Sequence, residues 1–479
     1  MLFNSIDFTV FLPIVFGLYW FVTNRNLKLQ NFLIVLASYV FYGWWDWRFL
    51  SLIIFSSLVD FTIGNLLRTE ENTRKRKTYL WISILINLGF LGFFKYYNFF
   101  VNSFVDAFTF FGREIEVGTL QIILPVGISF YTFQTLSYTI DVYKKKLEPT
   151  KDLIAFSAFV SFFPQLVAGP IERATNLLPQ FYVKRSFDYD KAKDGLRQIL
   201  WGLFKKIVIA DNCAKYANII FNHSEDYSGS TLFLGALFFT FQIYGDFSGY
   251  SDIAIGVSRL FGFNLKQNFA FPYFSRDIAE FWRRWHISLS TWFRDYLYIP
   301  LGGSRGGVQM KLRNTFIIFL VSGFWHGANW TFIVWGFLNA LYFLPLLLLN
   351  RNRVNTNLVA ENRLFPNFKE VIQVMTTFLL TVLAWIFFRA NSVTHAFAYL
   401  KDLFTSALFD WPAPETYAKE LFILVPAFIL VEWFGRSAQY GIEEIKQFPK
   451  YIRWTLYFGL IILMFIFVGE EQEFIYFQF

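Results

Sequence analysis

The sequence has few cysteines, few histidines and few charged residues. Cys213 is the single cysteine among 479 residues, which excludes an intramolecular disulfide and a cysteine-based zinc site. The four histidines form neither an HxxxH nor an HExxH pattern, so we predict no metal site. Charged residues make up 16% of the chain, against roughly 25% in a typical soluble domain. This deficit argues against a soluble protein.

Apolar residues fill the chain instead. The sequence is 55% hydrophobic and 22% aromatic. Runs near or above the roughly 18 to 20 residues that cross a bilayer are Ile6–Val22, Phe49–Leu67, Leu80–Phe100, Phe316–Leu349, Val371–Phe388 and, together with its flanks, Leu456–Val468. A soluble fold would need several buried helices that are apolar on every side. We therefore predict an all-α polytopic protein of the lipid bilayer.

The basic residues indicate membrane orientation. A net charge of +8 is compatible with nucleic-acid binding, but Lys and Arg also concentrate in the cytoplasmic loops of membrane proteins. With the dense basic loop Arg74–Lys77 placed in the cytoplasm, the apolar runs alternate consistently as far as Lys144–Lys146. We expect roughly eleven transmembrane helices in a single domain over residues 1–479, and no nucleic-acid partner.

The segment Leu153–Ala168 breaks this alternation. It is apolar, yet Lys144–Lys151 precedes it and further basic residues follow, so both of its ends favour the cytoplasm. Pro164 interrupts it and Gly169-Pro170 follow it. Irregular backbone at membrane depth survives only when it is buried in protein or lines a cavity. We predict a re-entrant or interfacial element.

The segment Ser275–Pro300 has a helical stripe at alternating spacings of four and three residues. The stripe consists of Ile278, Trp282, Trp285, Leu289, Trp292, Tyr296 and Ile299. We predict one continuous helix at the cytoplasmic interface, in which Glu280 pairs with Arg283 and Arg284. His286 lies at the border of the stripe, and these residues alone favour an interfacial histidine without function.

Two carboxylates lie within the apolar segment Gln242–Val257. Asp246 and Asp252 are accompanied there by three glycines and two serines. Intramembrane carboxylates are costly unless they face a cavity or a partner, and they commonly mark a pathway or a site. A structural network, in which Asp246 accepts hydrogen bonds from Tyr, Ser or backbone groups, explains the pattern equally well.

A histidine interrupts the apolar run Phe316–Leu349 within the sequence GFWHGANW. The run is too long for one span and short for two, so we predict a hairpin that turns at His326–Asn329. Counted from the start of the apolar part, His326 lies about 11 residues, or roughly 16 Å, into a core of roughly 30 Å. Gly323 and Gly327 let other backbone or a substrate approach closely. Burial keeps a histidine neutral, so His326 is a candidate general base; a hydrogen-bonded core histidine is the alternative.

Longer motifs carry a resemblance to a known family. The stretch FWRRWHISLSTWFRDYLYIPLGG (Phe281–Gly303), followed by FWHGANWTFIVWG (Phe324–Gly336), resembles the membrane-bound O-acyltransferase family, in its bacterial alginate O-acetyltransferase branch. The stretches LPVGISFYTFQTLSYTIDVY (Leu124–Tyr143), FFPQLVAGPI (Phe162–Ile171) and WGLFKKIVIADNCA (Trp201–Ala214) agree. The similarity covers nearly the whole chain and is less specific for the acceptor than for the family.

The resemblance implies a helical bundle around a central funnel in the bacterial inner membrane. It implies that His326 is the catalytic base or acyl relay and that His286 is a second site residue. An acetyl group would pass from a cytoplasmic donor, with acetyl-CoA as a substrate and no tightly bound cofactor, to an extracytoplasmic polysaccharide. A periplasmic partner of the SGNH-hydrolase type would complete the transfer.

The remaining candidate residues flank these histidines. Trp282, Arg283 and Arg284 are candidates for the donor mouth, although headgroup contact explains the arginines as well. The candidates for the substrate channel are Trp325, Asn329, Tyr244 and Asp246. Related sequences often carry a further histidine shortly after the second tryptophan of this region, where this chain has Asn339.

Three other functions remain open at the level of the sequence. A D-alanyl transferase acting on teichoic acid would use a small acyl-carrier protein as its donor. A proton-coupled polysaccharide or lipid transporter would use Asp246, Asp252 and His326 as a proton pathway, but no internal repeat is visible. A structural subunit that holds a periplasmic enzyme would not need His326.

Overall fold

The computed structural model describes residues 1–110, 117–416, 418–469 and 472–475, which form helices and connecting loops without any strand. Their contacts divide the chain into two compact units. The first unit comprises residues 1–193 and 257–266, and the second comprises residues 194–256 and 267–479. The expected single domain over residues 1–479 stays a prediction.

The helices of the N-terminal part are mostly long and apolar. They are α1 (Ile6–Gly17), α2 (Leu27–Asp46), α3 (Leu50–Thr69), α4 (Thr73–Leu91), α5 (Tyr97–Phe110), α6 (Ile128–Tyr143), α7 (Leu153–Ser161), α8 (Ala174–Leu177) and α9 (Tyr189–Phe204). Polar residues with short side chains start several of them. Ser5, Asn26 and Asn72 each accept a backbone N–H of the first turn, which satisfies donors that a helix start leaves open.

The C-terminal part contains the segments that carried the sequence motifs. Its helices are α10 (Asp211–Asn222), α11 (Gly229–Leu260), α12 (Ile278–Arg284), α13 (Ile287–Phe293), α14 (Gly307–His326), α15 (Trp330–Leu348), α16 (Phe368–Arg389), α17 (Val393–Leu403), α18 (Leu421–Phe434) and α19 (Lys450–Ile466). Asn367 and Glu370 start α16 with a reciprocal capping box.

Four helical stretches of the described residues are long and apolar enough to cross a membrane. They are Leu27–Thr69, Thr73–Phe110, Trp330–Leu348 and Phe368–Arg389, while Ile6–Val22 and Leu421–Phe434 are shorter apolar helices. Many of their large apolar side chains point outward, among them Phe55, Leu85 and Ile372. Such surfaces are stable in lipid and not in water, as expected for an all-α membrane protein.

A buried polar cluster joins three helices of the first unit. Asp60 of α3 accepts hydrogen bonds from Ser83 and Asn87 of α4 and from Thr139 of α6. The Asp60 side chain is fully buried, so each of these bonds replaces one that water would make. Interhelical hydrogen bonds of this kind hold helices together where the hydrophobic effect cannot.

The predicted irregular element at Leu153–Ala168 is present. The helix α7 has nine residues and ends at Ser161, three residues before Pro164. At about 1.5 Å per residue it is far too short to cross a bilayer. The backbone beyond it is non-helical and buried, and Phe162 and Gln165 are fully inaccessible. Irregular backbone is thus enclosed by protein, as such a segment requires.

The predicted hairpin at GFWHGANW is also confirmed. The helix α14 ends at His326 and α15 begins at Trp330, and the two helices pack against each other. A Cβ atom on Gly323 would overlap the backbone carbonyl of Phe332, so glycine allows the close approach that we expected. The helices α14 and α15 have 20 and 19 residues, so each is longer than a hairpin that turns at half depth requires. The mid-membrane depth of His326 stays a prediction.

The continuous helix predicted over Ser275–Pro300 is wrong. The chain forms α12 and α13, which are separated at Trp285 and His286, and then a π-helical turn at Arg294–Tyr298. His286 has a φ of +44°, in the left-handed region that side chains other than glycine disfavour. The periodicity of the stripe could not reveal this break, because a non-local segment causes it.

Candidate functional site

His326 lies among aromatic rings at the end of α14. It is buried, and its ring centroid lies 5.1 Å from that of Trp335 and 5.3 Å from that of Phe388. Gly327 follows in an extended conformation, and a Cβ atom there would overlap the ring of Phe332. The histidine therefore occupies a tightly packed, water-poor environment between α14, α15 and α16.

His286 lies at the break between α12 and α13. It is 1% exposed, and its ring packs edge-on against Phe247 at 4.7 Å between centroids. Its Nδ1 atom lies 3.1 Å from the side-chain oxygen of Asn268. The two seven-residue helices around it are too short to span a membrane. Burial lowers the pKa of His286 below its ordinary value, so the ring is neutral at physiological pH.

Trp325 packs near both histidines. Its ring centroid is 6.0 Å from that of His286 and 4.9 Å from that of His326. Histidines 40 positions apart in the sequence thus share one indole as a neighbour. Buried imidazoles among aromatic rings can remove a proton from a hydroxyl group or carry an acyl group while bulk water is kept out.

The predicted donor-mouth residues have different surroundings. Trp282 donates its indole N–H to Asn339 at 3.2 Å and packs edge-on against Trp335 at 5.6 Å. Arg284 pairs with Glu280 at 2.8 Å, as expected. Arg283 donates instead to backbone carbonyls at 2.9 and 2.6 Å. Donor binding by these arginines stays a prediction.

A cavity of about 240 Å³ lies beside Trp282. It is lined by Trp282, Leu289, Ser290, Phe293, Arg294, Tyr298, Ser304, Thr315, Ile318, Phe319, Ser322, Phe343, Leu347, Asn352 and Arg353. Ser322 precedes His326 by one helical turn, or about 6 Å. The cavity wall thus includes a residue of the helix that carries His326, one turn before it, and two arginines line the same cavity.

Asn329 caps a helix. Its side-chain oxygen accepts the backbone N–H of Thr331 at 3.0 Å, and its amide nitrogen donates to the carbonyl of Asn391 at 3.0 Å. The sequence made Asn329 a candidate for the substrate channel, and that role stays a prediction. The structure shows the cap, which positions the start of α15.

The comparisons with known proteins agree with this geometry. The model of the membrane-bound O-acyltransferase family matches residues 147–388, a range that contains both histidines and Trp325. The chain is also 41% identical over 457 residues to the probable alginate O-acetylase of Pseudomonas aeruginosa, covering 94% of this chain and 84% of that protein. This chain belongs to the membrane-bound O-acyltransferase family.

Other relatives differ in the acceptor that their names give. The peptidoglycan O-acetyltransferase of Helicobacter pylori is 36% identical over 433 residues, covering 84% of this chain and 80% of that protein. The teichoic acid D-alanyltransferase of Streptococcus thermophilus is 31% identical over 241 residues, covering 47% of this chain and 57% of that protein. The similarity to the O-acetylating relatives is therefore both higher and more extensive.

The acyltransferase also contains buried ion pairs that the sequence did not predict. Asp246 pairs with Lys206 at 2.9 Å and Asp252 pairs with Lys205 at 2.5 Å. The lysines lie in a π-helical turn at Lys205–Ala210, a feature often found at functional sites. One of the two alternatives for Asp246 was a structural network with Tyr, Ser or backbone partners. Ile475 supplies a backbone N–H at 2.7 Å, but lysine is the charged partner.

Tyr244, a predicted channel residue, borders a second cavity of the acyltransferase. Its hydroxyl donates to the buried carboxylate of Glu432 at 2.5 Å. The cavity has a volume of about 350 Å³ and an almost wholly apolar wall that includes Phe378 and Phe428. A channel role for Tyr244 and Asp246 stays a prediction. Glu432 was missed because it lies alone in an apolar run, where only a three-dimensional partner explains it.

Proposed function

We propose that this enzyme moves acetyl groups from a cytoplasmic donor to an extracytoplasmic polysaccharide, either an alginate-like exopolysaccharide or another cell-envelope glycan. The observation that carries the proposal is the pair of buried histidines that both pack near Trp325. The names of the O-acetylating relatives from Pseudomonas aeruginosa and Helicobacter pylori support the acetyl group and the glycan acceptor.

His326 acts as the general base. It takes the proton of an acceptor hydroxyl while the hydroxyl oxygen attacks the carbonyl carbon of an acetyl thioester. The new C–O bond forms, the C–S bond breaks, and the thiolate leaves with the proton that His326 held. In the variant mechanism, His326 first accepts the acetyl group itself and then passes it to the hydroxyl. His286 positions the donor or assists the proton transfer.

The donor substrate, acetyl-CoA in this proposal, enters through the cavity beside Trp282. The volume of this cavity is below the roughly 300–1,000 Å³ of typical small-molecule sites, so the cavity suits a slim, extended chain better than a ring system. The cavity wall is mainly apolar, and Arg294 and Arg353 contribute positive charge to it. A phosphate-bearing donor would place its charged end near these arginines and its thioester near Ser322 and His326.

The membrane arrangement follows from the same proposal. Roughly eleven transmembrane helices would surround a funnel in the bacterial inner membrane, with the donor on the cytoplasmic side and the acceptor on the other. The basic cluster Arg74–Lys77, which the sequence suggested as a loop and which lies at the start of α4, supports this orientation. A periplasmic partner of the SGNH-hydrolase type would complete the delivery of the acetyl group to the polymer.

The test uses membranes that contain the full-length enzyme. We expect His326→Ala to lower the ester-linked acetate on envelope glycans by at least about 100-fold, because a general base contributes roughly 10²–10⁴-fold. The matched control is His223→Ala, which removes an exposed histidine at the end of α10. Mass spectrometry of the glycans, normalised to enzyme amount, measures the effect. Full acetylation by the His326→Ala variant would overturn the proposal.

Transfer of D-alanine is the second candidate, because teichoic acid D-alanyltransferases are relatives over about half of the chain. This enzyme would then take its acyl group from a carrier protein instead of acetyl-CoA. Incubation of cell membranes that contain the full-length enzyme and its native partner proteins with acetyl-CoA or with a charged carrier protein, each isotopically labelled, separates the two. Label that reaches glycan from acetyl-CoA alone supports the acetyltransferase.

A further inference from the structure

The backbone around His286 is held open by the segment that begins at Asn268. The carbonyl of Asn268 accepts the N–H of Ile287 at 2.9 Å, and the N–H of Ala270 donates to the carbonyl of Arg284 at 2.9 Å. These bonds replace helical bonds across the junction of α12 and α13. Asn268 therefore helps to keep His286 in its left-handed backbone conformation. Without such support, this conformation would be strained.

The side chain of Asn268 is fully buried and its orientation is unambiguous. One amide atom accepts the backbone N–H of Ser288 at 3.2 Å and the hydroxyl of the same residue at 2.8 Å. A backbone N–H can only donate, so this atom must be the amide oxygen. The amide nitrogen on the other side donates to the hydroxyl oxygen of Ser251 at 3.1 Å.

The amide oxygen of Asn268 determines where His286 holds its proton. Nδ1 of His286 lies 3.1 Å from this oxygen. An amide oxygen has no hydrogen to give, so Nδ1 must be the donor and must carry the proton. In a neutral imidazole the other nitrogen then has the lone pair. Nε2 is thus the nitrogen that can accept a proton or a hydrogen bond from a substrate.

We propose that Asn268 is a positioning residue that holds His286 as the Nδ1–H tautomer and so presents Nε2 as the accepting atom of the acyl-transfer site. This inference rests on the proposed function. The reaction then uses Nε2 of His286 to accept a hydrogen bond from the donor or the acceptor hydroxyl. The opposite tautomer would present an N–H there and could accept neither a hydrogen bond nor a proton.

The choice of an amide over a carboxylate has a reason in the surroundings. Behind Asn268 lies a polar cavity of about 10 Å³, and its charged lining groups are Lys205, Asp252 and Glu432. Asp252 and Lys205 pair with each other. A carboxylate at position 268 would add negative charge beside His286 and stabilise its charged form. The amide orients the ring and leaves it neutral.

The first experiment reads the tautomer directly. Histidine labelled with ¹³C and ¹⁵N is incorporated into the full chain, which has four histidines, and the signals of His286 are assigned with His286→Gln. Solid-state NMR in lipid bilayers distinguishes the two tautomers by their ¹⁵N shifts. We expect Nδ1–H for the wild-type enzyme and a change of tautomer population in Asn268→Ala. An Nε2–H signal in the wild type would overturn the proposal.

The second experiment uses the pH dependence of acetyl transfer. Asn268→Asp retains acceptors for Nδ1 and Ser288, but its charge favours the imidazolium form. We expect the acidic limb of the activity profile to move to higher pH by about one to three units. The control is Asn314→Asp, a substitution of another fully buried asparagine outside the histidine pocket, which should leave the limb unmoved.

The outcomes separate this inference from the proposed function. If the wild-type enzyme transfers no acetyl group, the proposed function fails, while the NMR experiment still decides the tautomer. If the wild type is active and Asn268→Asp has the wild-type pH profile, the positioning role of Asn268 fails. A shifted limb together with an Nδ1–H signal supports it.

Discussion

The substitution Gly323→Ala tests how closely the proposed function of His326 depends on the packing of the α14–α15 hairpin. Gly323 lies three residues before His326, or about 4.5 Å along the helix. A Cβ atom there would lie 3.0 Å from the carbonyl carbon of Phe332 and closer still to its oxygen, whereas ordinary contacts begin at 3.4 Å. These atoms are backbone, so no side-chain rotation relieves the overlap. The two helices must separate by roughly 1 Å.

The separation affects both stability and catalysis. Overpacking of a tight contact typically costs about 1–3 kcal/mol of the free energy of unfolding. The larger effect concerns geometry, because α14 carries His326 while α15 carries Trp335, which forms a wall of its pocket. A misplacement of about 1 Å between reacting groups can cost on the order of 100-fold in rate. We expect kcat to fall by about that factor while most of the protein stays folded.

The assay compares Gly323→Ala with Gly459→Ala. Gly459 lies within α19, and a Cβ atom there would have no neighbour within 4 Å. Alanine favours a helix interior over glycine by roughly 1 kcal/mol, so this control should be at least as stable as the wild type. Ester-linked acetate per enzyme molecule gives the activity, and thermal unfolding in detergent gives the stability. Equal activities of the two variants would refute the packing argument.

Three further substitutions test the polar contacts. Lys206→Met leaves Asp246 buried without its cation and should lower the free energy of unfolding by about 3–5 kcal/mol. Adding Asp246→Asn should restore part of this stability in thermal unfolding, and no recovery would contradict the pairing. Asn329→Ala should cost about 1 kcal/mol as a lost cap and keep turnover per folded enzyme, whereas lost turnover would indicate an orienting role. Arg353→Glu should raise the KM for acetyl-CoA roughly five-fold, equivalent to about 1 kcal/mol, and an unchanged KM would contradict the donor cavity.

The hairpin at His326 could be predicted because its signals are local. The length of the apolar run, its polar centre and the glycines on either side of His326 all lie within one segment. The break at His286 could not be predicted, since the stripe from Ile278 to Ile299 keeps a helical period through it. Asn268, 18 positions away, hydrogen-bonds the backbone at the break, whereas sequence periodicity reports only on neighbours within one helix.

The buried carboxylates also show what local sequence can predict and what it cannot. Their positions in apolar segments indicated that Asp246 and Asp252 need partners, because an unpaired buried charge is too costly to keep. The lysines Lys205 and Lys206 were equally visible as two buried charges in an apolar run, yet nothing local assigns each lysine to its carboxylate. Only the packing of α11 against the π-helical turn decides the pairing.

By itself, the sequence determined the membrane class and the family, because composition and contiguous motifs are properties of the linear chain, and it made His286 and His326 candidate site residues. The tertiary structure decided that both histidines pack near Trp325, that Arg294 and Arg353 line the cavity beside Trp282, and that Nδ1 of His286 faces the amide oxygen of Asn268. Each of these depends on distances of a few ångströms between residues far apart in sequence. Such distances are set by packing and by non-local hydrogen bonds.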